Sequence, residues 1–275
     1  PIILQDVGTM SLPLSGLFRK KRNLPAYLWD VADHCRWSHL CRRVDTIFYT
    51  YRRHPRILRL SYRGEVKRVL VGSDHEDWSR ECTRAEAKRK LGIAEETFVF
   101  LSVSRLTSLK QIDRLIVSLR RVRSERPWVL FLAGHGTREY EAFLRRLAEP
   151  LLREGKVRFA GYVPRNELKL LYSAADVFVN SSMQEGGPIS AMQAALMETP
   201  ILTTDSGHVQ EYLAQEGCGV VVGRKDYAAW TGVLQGILDG EPVRPLPLEK
   251  ARRRYGWSYV IEDYIREYRA LAERG

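Results

Sequence analysis

Two cations five residues apart, Arg105 and Lys110, stand in the stretch Ser104-Arg105-Leu106-Thr107-Ser108-Leu109-Lys110-Gln111, after an apolar run and before a segment of helical periodicity. The free amides and dipole of a helix amino terminus already favour anions, so an added guanidinium and ammonium suit a diphosphate. Alone, the same residues read equally well as solvated surface cations. A second stretch, Ser181-Ser182-Met183-Gln184-Glu185-Gly186-Gly187-Pro188, leads into a helical segment beginning at Ile189. Gly186 and Gly187 let backbone amides approach a ligand closely, and Pro188 suits the first helical position, where a missing N–H costs nothing. Glu185 can accept hydrogen bonds from sugar hydroxyls or stabilise positive charge developing at an anomeric carbon. It can also simply cap the helix dipole. Gln193 lies about two turns further down the same helix. A third stretch, Gly134-His135-Gly136, has the look of a nucleotide turn but lacks the third Gly of the dinucleotide fingerprint, so an NAD-type assignment falls behind.

These stretches need a scaffold that brings them to one place, and from residue 97 onward the chain alternates short β-rich runs with helix-period segments. The strand candidates are 97–103, 128–133, 157–160, 176–180, 200–204 and 219–222. Their near-continuous apolar character is that of strands buried on both faces. Between them Ile112, Leu115, Ile116, Leu119 and Val122 repeat at helical spacing, as do Tyr140, Phe143, Leu144, Leu147 and Leu151. Further helices are expected at 168–175, 189–197, 227–238 and 259–271. The pattern is a doubly wound α/β domain, whose ligands bind outside the carboxyl ends of the strands, on loops starting near Ser104, Gly134, Gly161, Ser181 and Asp205. Residues 1–75 read as part of another α/β unit, with strands at 2–5, 45–50 and 66–71 and a helix over 25–43. A polar stretch with a short helix at 84–91 follows as a linker.

Taken in order, the motifs resemble the two-domain GT-B glycosyltransferases that use nucleotide sugars, specifically the large retaining GT4 family, over roughly residues 45–273. Val69-Leu70-Val71-Gly72-Ser73-Asp74 is similar to the family's hinge, with the Asn of Asn-Gly-x-Asp absent. Ser104-Arg105-Leu106 with Lys110 resembles the Gly-Arg-Leu…Lys-Gly loop, and residues 157–164 (Val-Arg-Phe-Ala-Gly-Tyr-Val-Pro) resemble the segment that reads the nucleobase. Residues 174–186 resemble the run into the Glu-x7-Glu motif, residues 204–211 the Gly-rich loop after it, and Trp257 with Tyr268 the terminal helix. The resemblance implies a GT-B-like α/β fold. Its domains would be a partial acceptor-side α/β domain at 1–75, a linker at 76–95, a Rossmann-like donor domain at 96–256 and a helix at 257–275 packing back on the first domain.

It implies that Arg105 and Lys110 neutralise the donor diphosphate, that Tyr162 and Val163 meet the base, and that Glu185, Gly186 and Gly187 hold the sugar. Gln193 falls at the ribose position, where the family keeps Glu; an amide still exchanges hydrogen bonds with hydroxyls but without charge assistance. Val7 falls where the family often has a His facing the reacting centre. With Glu185, Lys110 and Arg105 as catalytic residues, the implied reaction is sugar transfer from a nucleotide-diphosphate sugar to an acceptor hydroxyl with retention. The setting would be polysaccharide, lipopolysaccharide or glycolipid synthesis, with no cofactor or metal. A non-catalytic nucleotide-sugar-binding or partner-dependent subunit is the alternative, pointed to by Gln193, Val7 and the short first domain.

Composition bounds these readings. The chain has 275 residues, 44% of them hydrophobic, with a net charge of +11, which excludes a disordered or collagen-like chain. Residues 1–68 hold 14 Lys and Arg against 5 Asp and Glu, while the remainder holds 30 against 28. This basic end, with the run Arg19-Lys20-Lys21-Arg22, suits an anionic membrane surface or a phosphate-bearing lipid-linked acceptor, or serves only as a solvated face. Nucleic acid is disfavoured because no recognised module accompanies the charge. Four cysteines without CxxC spacing argue against a disulfide framework, and His34, Cys35, His39 and Cys41 match no standard zinc spacing. Apolar runs fall short of the ~20 residues needed to span a bilayer, and no basic-then-apolar leader precedes the first strand, so the expected place is the cytoplasm, at the inner face of the membrane.

Overall fold

The computed structural model describes residues 3–6, 39, 44–50, 62 and 64–273. The helix expected over 25–43, all but His39 of the His34–Cys41 cluster, Val7, the Arg19–Arg22 run and most of the other basic residues before Glu65 lie outside the described residues. In chain order the strands are β1 (Ile3–Asp6), β2 (Thr46–Tyr49), β3 (Glu65–Arg68), β4 (Phe98–Val103), β5 (Trp128–Ala133), β6 (Val157–Gly161), β7 (Val177–Asn180), β8 (Ile201–Thr204) and β9 (Val220–Val222). The helices are α1 (Arg84–Lys90), α2 (Ile112–Leu119), α3 (Arg138–Arg153), α4 (Arg165–Ala174), α5 (Ile189–Leu196), α6 (Val209–Gln215), α7 (Tyr227–Leu238), α8 (Leu248–Tyr255) and α9 (Trp257–Ala272). The chain forms two compact units, one of residues 1–71 with 261–275 and one of residues 72–260.

The first unit contains a parallel sheet in the order β1-β2-β3. Phe48, fully buried at its centre, meets the rings of Tyr264 and Tyr268 edge-on at 5.7 and 6.0 Å. Tyr264 also donates its hydroxyl to the carbonyl of Leu70 at 2.9 Å, and Lys67 pairs with Glu267. Among the described residues, α9 thus packs two aromatic rings against this sheet.

The second unit is built on a six-stranded, all-parallel sheet in the order β6-β5-β4-β7-β8-β9. Every residue of β5, β7 and β8, and all but the last of β4, is buried, whereas the edge strand β6 alternates buried and exposed positions. That difference explains the sequence pattern: inner strands are covered on both faces and read as apolar runs, and an edge strand keeps a wet side. Ile112, Leu115, Ile116 and Leu119 put one face of α2 into the core, each contributing roughly 1.5–3 kcal/mol by burial.

Residues 76–95, expected as a linker, are fastened to this sheet. Thr83 and Glu86 form a capping box that starts α1. From that helix Lys88, buried, reaches Asp176 at 2.9 Å and the carbonyl of Glu95 at 3.1 Å, while Asp176 also accepts the amide of Val99 at 2.9 Å. Arg80 donates to the carbonyl of Met197 at 2.9 Å, at the end of α5. Two short helices, α6 and α8, are additions to the pattern read from the sequence.

Candidate functional site

Strand order places the site. Chain order runs outward in one direction through β4, β5 and β6 and in the other through β7, β8 and β9, so the connections after β4 and β7 diverge at neighbouring strands. A crevice at the carboxyl ends of the strands belongs at such a switch point. The two loops flanking it carry Arg105 and Lys110 on one side and Glu185, Gly186 and Gly187 on the other.

The loops are laced together. Met183 donates its amide to the carbonyl of Leu109 at 2.8 Å, and the Ser181 hydroxyl donates to the carbonyl of Lys110 at 2.7 Å. Across this seam Lys110 Nζ lies 2.5 Å from Glu185 Oε1, which also accepts the Ser182 hydroxyl at 2.6 Å. The Lys110 side chain retains 21% of its exposure and that of Glu185 11%, so the pair is partly desolvated yet reachable. Behind it, Thr204 and Ser206 donate their hydroxyls to the carbonyl of Ser182 at 2.6 and 3.0 Å and so tie in the loop after β8. Gly207 sits at φ +86°, and a Cβ there would stand 3.0 Å from Glu185 Cβ and 3.3 Å from Pro188 Cδ. The absence of a side chain at 207 therefore lets the Glu185 loop settle against its neighbour.

Both helices that begin at the switch point, α2 and α5, start without a side-chain cap. No cap side chain competes for their first amides, and the dipoles favour an anion there. Pro188 is the cap residue of α5 rather than its first helical residue: its carbonyl accepts the amides of Ala191 and Met192 at 2.9 and 3.1 Å.

The other residues singled out from the sequence are placed as follows. Arg105 is exposed at the carboxyl end of β4, next to buried Leu106. Tyr162 is 78% exposed just past β6 and Val163 is half-buried. Gln193 lies on the second turn of α5, where its Oε1 is 3.3 Å from the hydroxyl of Tyr172. That hydroxyl, fully buried, with burial raising its pKa further above the usual phenol range, donates to the carbonyl of Ser190 at 2.9 Å.

The glycines of Gly134-His135-Gly136 have a different role from the ligand turn they suggest. A Cβ at Gly134 would fall 1.9 Å from the Ser104 carbonyl oxygen, and one at Gly136 2.1 Å from that of Leu106. Leu106 in turn donates its amide to the His135 carbonyl at 2.9 Å. The two glycines let neighbouring loops run side by side. His135 projects outward.

Two features escaped the sequence reading. Arg224, just after β9, donates from its backbone to Asp205 Oδ1 at 2.8 Å and from its guanidinium to the carbonyl of Met183 at 3.4 Å. Nothing in residues nineteen positions apart announces such a tie. Gln111 is the other, with a left-handed backbone at φ 50° and ψ 34° directly after Lys110. Among the described residues no three His, Cys, Asp or Glu side chains form a group fit for a metal, and no helix is long and apolar enough to cross a membrane.

The pattern of the glycosyl transferases group 1 family matches residues 83–256. The D-inositol 3-phosphate glycosyltransferase of Corynebacterium urealyticum is 30% identical over 222 residues, covering 77% of this chain and 52% of that protein. The lipopolysaccharide core biosynthesis mannosyltransferase LpsB of Rhizobium meliloti is 24% identical over 267 residues, covering 94% of this chain and 74% of its own. The chain spans about half the length of the D-inositol 3-phosphate glycosyltransferases it matches. Among solved structures, the sucrose-phosphate synthase of Thermosynechococcus elongatus superposes with a TM-score of 0.76 at 21% identity, over 99% of this chain and 68% of that one. HepE of Anabaena, in complex with UDP and glucose, superposes with a TM-score of 0.78 at 16% identity, over 98% and 72%. At these identities the superpositions establish a shared GT-B-like fold.

Proposed function

The chain belongs to the glycosyl transferases group 1 family, and we propose that its second unit binds a nucleotide-diphosphate sugar at the switch point for transfer of the sugar to an acceptor hydroxyl. The observation that carries this reading is the meeting of Lys110 and Glu185 from two separate loops above the uncapped starts of α2 and α5. A cation, a carboxylate and two helix amino termini brought together match a ligand with a diphosphate at one end and hydroxyls at the other.

In this reading Arg105, Lys110 and the helix amides neutralise the charge that builds on the departing diphosphate, the largest electrostatic demand of the reaction. Glu185 and the Gly186 and Gly187 amides hold the sugar, Gln193 faces the ribose, and Tyr162 and Val163 border the base. Transfer breaks the bond from the anomeric carbon to the diphosphate oxygen and forms one to the acceptor oxygen. With retention, the acceptor stands on the donor's own face, and its proton passes to the departing phosphate oxygen. The excess of cations in residues 1–68 suits an acceptor or surface that carries negative charge, such as a phosphate-bearing lipid-linked glycan at a membrane.

The test is release of nucleoside diphosphate from a panel of nucleotide sugars, with and without glycan acceptors, by the wild type and by Lys110→Ala and Glu185→Ala. Turnover of one donor, abolished in both variants and with the anomeric configuration kept in the product, supports the proposal. Binding without turnover favours the non-catalytic reading, to which the amide at Gln193 points. No binding of any donor overturns both.

A further inference from the structure

We infer that Gln111 is a positioning residue for Lys110, with the hydroxyl of Tyr227 as its anchor; the inference rests on the donor-site reading proposed above. A left-handed backbone at a residue with a Cβ costs roughly 1–2 kcal/mol, and a glycine would adopt it freely. A glutamine that bears that cost is expected to use its side chain.

Gln111 is 7% exposed, and its Nε2 donates to the Tyr227 hydroxyl at 3.0 Å, across to the first residue of α7. Tyr227 is itself fixed. Asp226 caps its helix by accepting the amide of Ala229 at 3.0 Å, and the Arg114 guanidinium lies 4.7 Å from the centre of the Tyr227 ring. Arg114 belongs to α2 and donates its amide back to the carbonyl of Gln111 at 3.0 Å. The contacts close a ring through Gln111, Tyr227, Arg114 and the start of α2. On the other side of the 110–111 peptide, Lys110 donates its amide to Thr107 at 2.9 Å and accepts the Ser181 hydroxyl on its carbonyl. The lysine backbone is thereby clamped from both ends, which fixes the point from which its side chain reaches Glu185 in the crevice.

The test is calorimetric titration with UDP, GDP and ADP of the wild type, Tyr227→Phe, Gln111→Gly and the double variant, alongside thermal unfolding. Tyr227→Phe removes the hydroxyl and leaves the ring under Arg114; Gln111→Gly removes the anchor and relieves the backbone. Each single variant is expected to bind the preferred diphosphate roughly three- to tenfold more weakly, the most that loss of one part-buried hydrogen bond can transmit to the site. The double variant should be no worse than either single one, because both delete the same bond. Gln111→Gly should melt no lower than the wild type, which separates positioning from mere stability. Unchanged affinity in both single variants overturns the inference. A wild type that binds none of the three diphosphates overturns the donor-site reading itself, and this inference with it.

Discussion

Replacing Glu185 by Gln should make the protein bind a free nucleoside diphosphate more tightly. In the ligand-free protein Glu185 occupies Lys110 at 2.5 Å, with both side chains mostly shielded from solvent. A diphosphate must share or displace that contact and also tolerate a neighbouring carboxylate. Gln keeps the shape and can still accept from Lys110 and Ser182, but as a neutral group. A hydrogen bond to a charged group contributes about 1.5–3 kcal/mol, and the Lys110 ammonium keeps its charge beside Gln, so the variant frees only the carboxylate's share of a partly exposed ion pair, about 0.5–1 kcal/mol. At 1.4 kcal/mol per factor of ten, affinity for the free diphosphate rises about 2- to 5-fold. The extra affinity of the nucleotide sugar over its parent diphosphate should shrink in the same variant, because the sugar hydroxyls lose a charged acceptor. Isothermal titration at low ionic strength, where partly exposed charges are least screened, measures both quantities. A Glu185→Gln protein that binds the diphosphate no more tightly than the wild type would refute the claim that this carboxylate competes for Lys110.

Three further outcomes are expected. Lys88→Met leaves the Asp176 carboxylate with the 3.4 Å contact to Arg84 and the Val99 amide at 2.9 Å, and should cost about 3 kcal/mol in urea unfolding; a loss below about 1 kcal/mol would show that these two partners satisfy it. Gly207→Ala forces a Cβ onto the Glu185 loop at φ +86°, so it should both lower the melting temperature by a few degrees and weaken donor binding; unaltered binding would separate the 207 turn from the site. Burial and Asp113 push the Tyr140 hydroxyl up to about 12, and burial also raises Tyr172 and Tyr255. Because these native phenols hold their protons more tightly than the unfolded chain does, stability is at its full value below about pH 10 and falls as pH rises toward 12. Tyr140→Phe should flatten part of that fall, and an identical pH profile in the variant would count against it.

The second unit's sheet was legible because its inner strands are covered on both faces, so burial itself writes the apolar runs of β4, β5, β7 and β8. Helix α8 was not legible: Leu248, Ala251 and Tyr255 share one face, but that thin stripe holds a single large buried side chain among a glutamate, a lysine and three arginines. Helix α6 hid behind the glycine turn at 207, whose composition signals a loop. At the site, residue types pointed to Lys110 and Glu185, but the pairing of their charges across the switch point is a product of strand order. Gly134 and Gly136 show the converse, since residues that suggest a ligand turn serve the close passage of two backbones. The left-handed Gln111 and the Arg224–Asp205 tie depend on three-dimensional proximity that no local pattern encodes.

The central claim, that the crevice between the loops after β4 and β7 is a diphosphate site, is tested most directly by equilibrium binding of UDP, GDP and ADP to the wild type and to Lys110→Ala. Saturable binding of at least one of them, weakened at least tenfold by loss of the lysine, is the expected result. Binding that Lys110→Ala leaves unchanged, or no binding of any of the three, would contradict it.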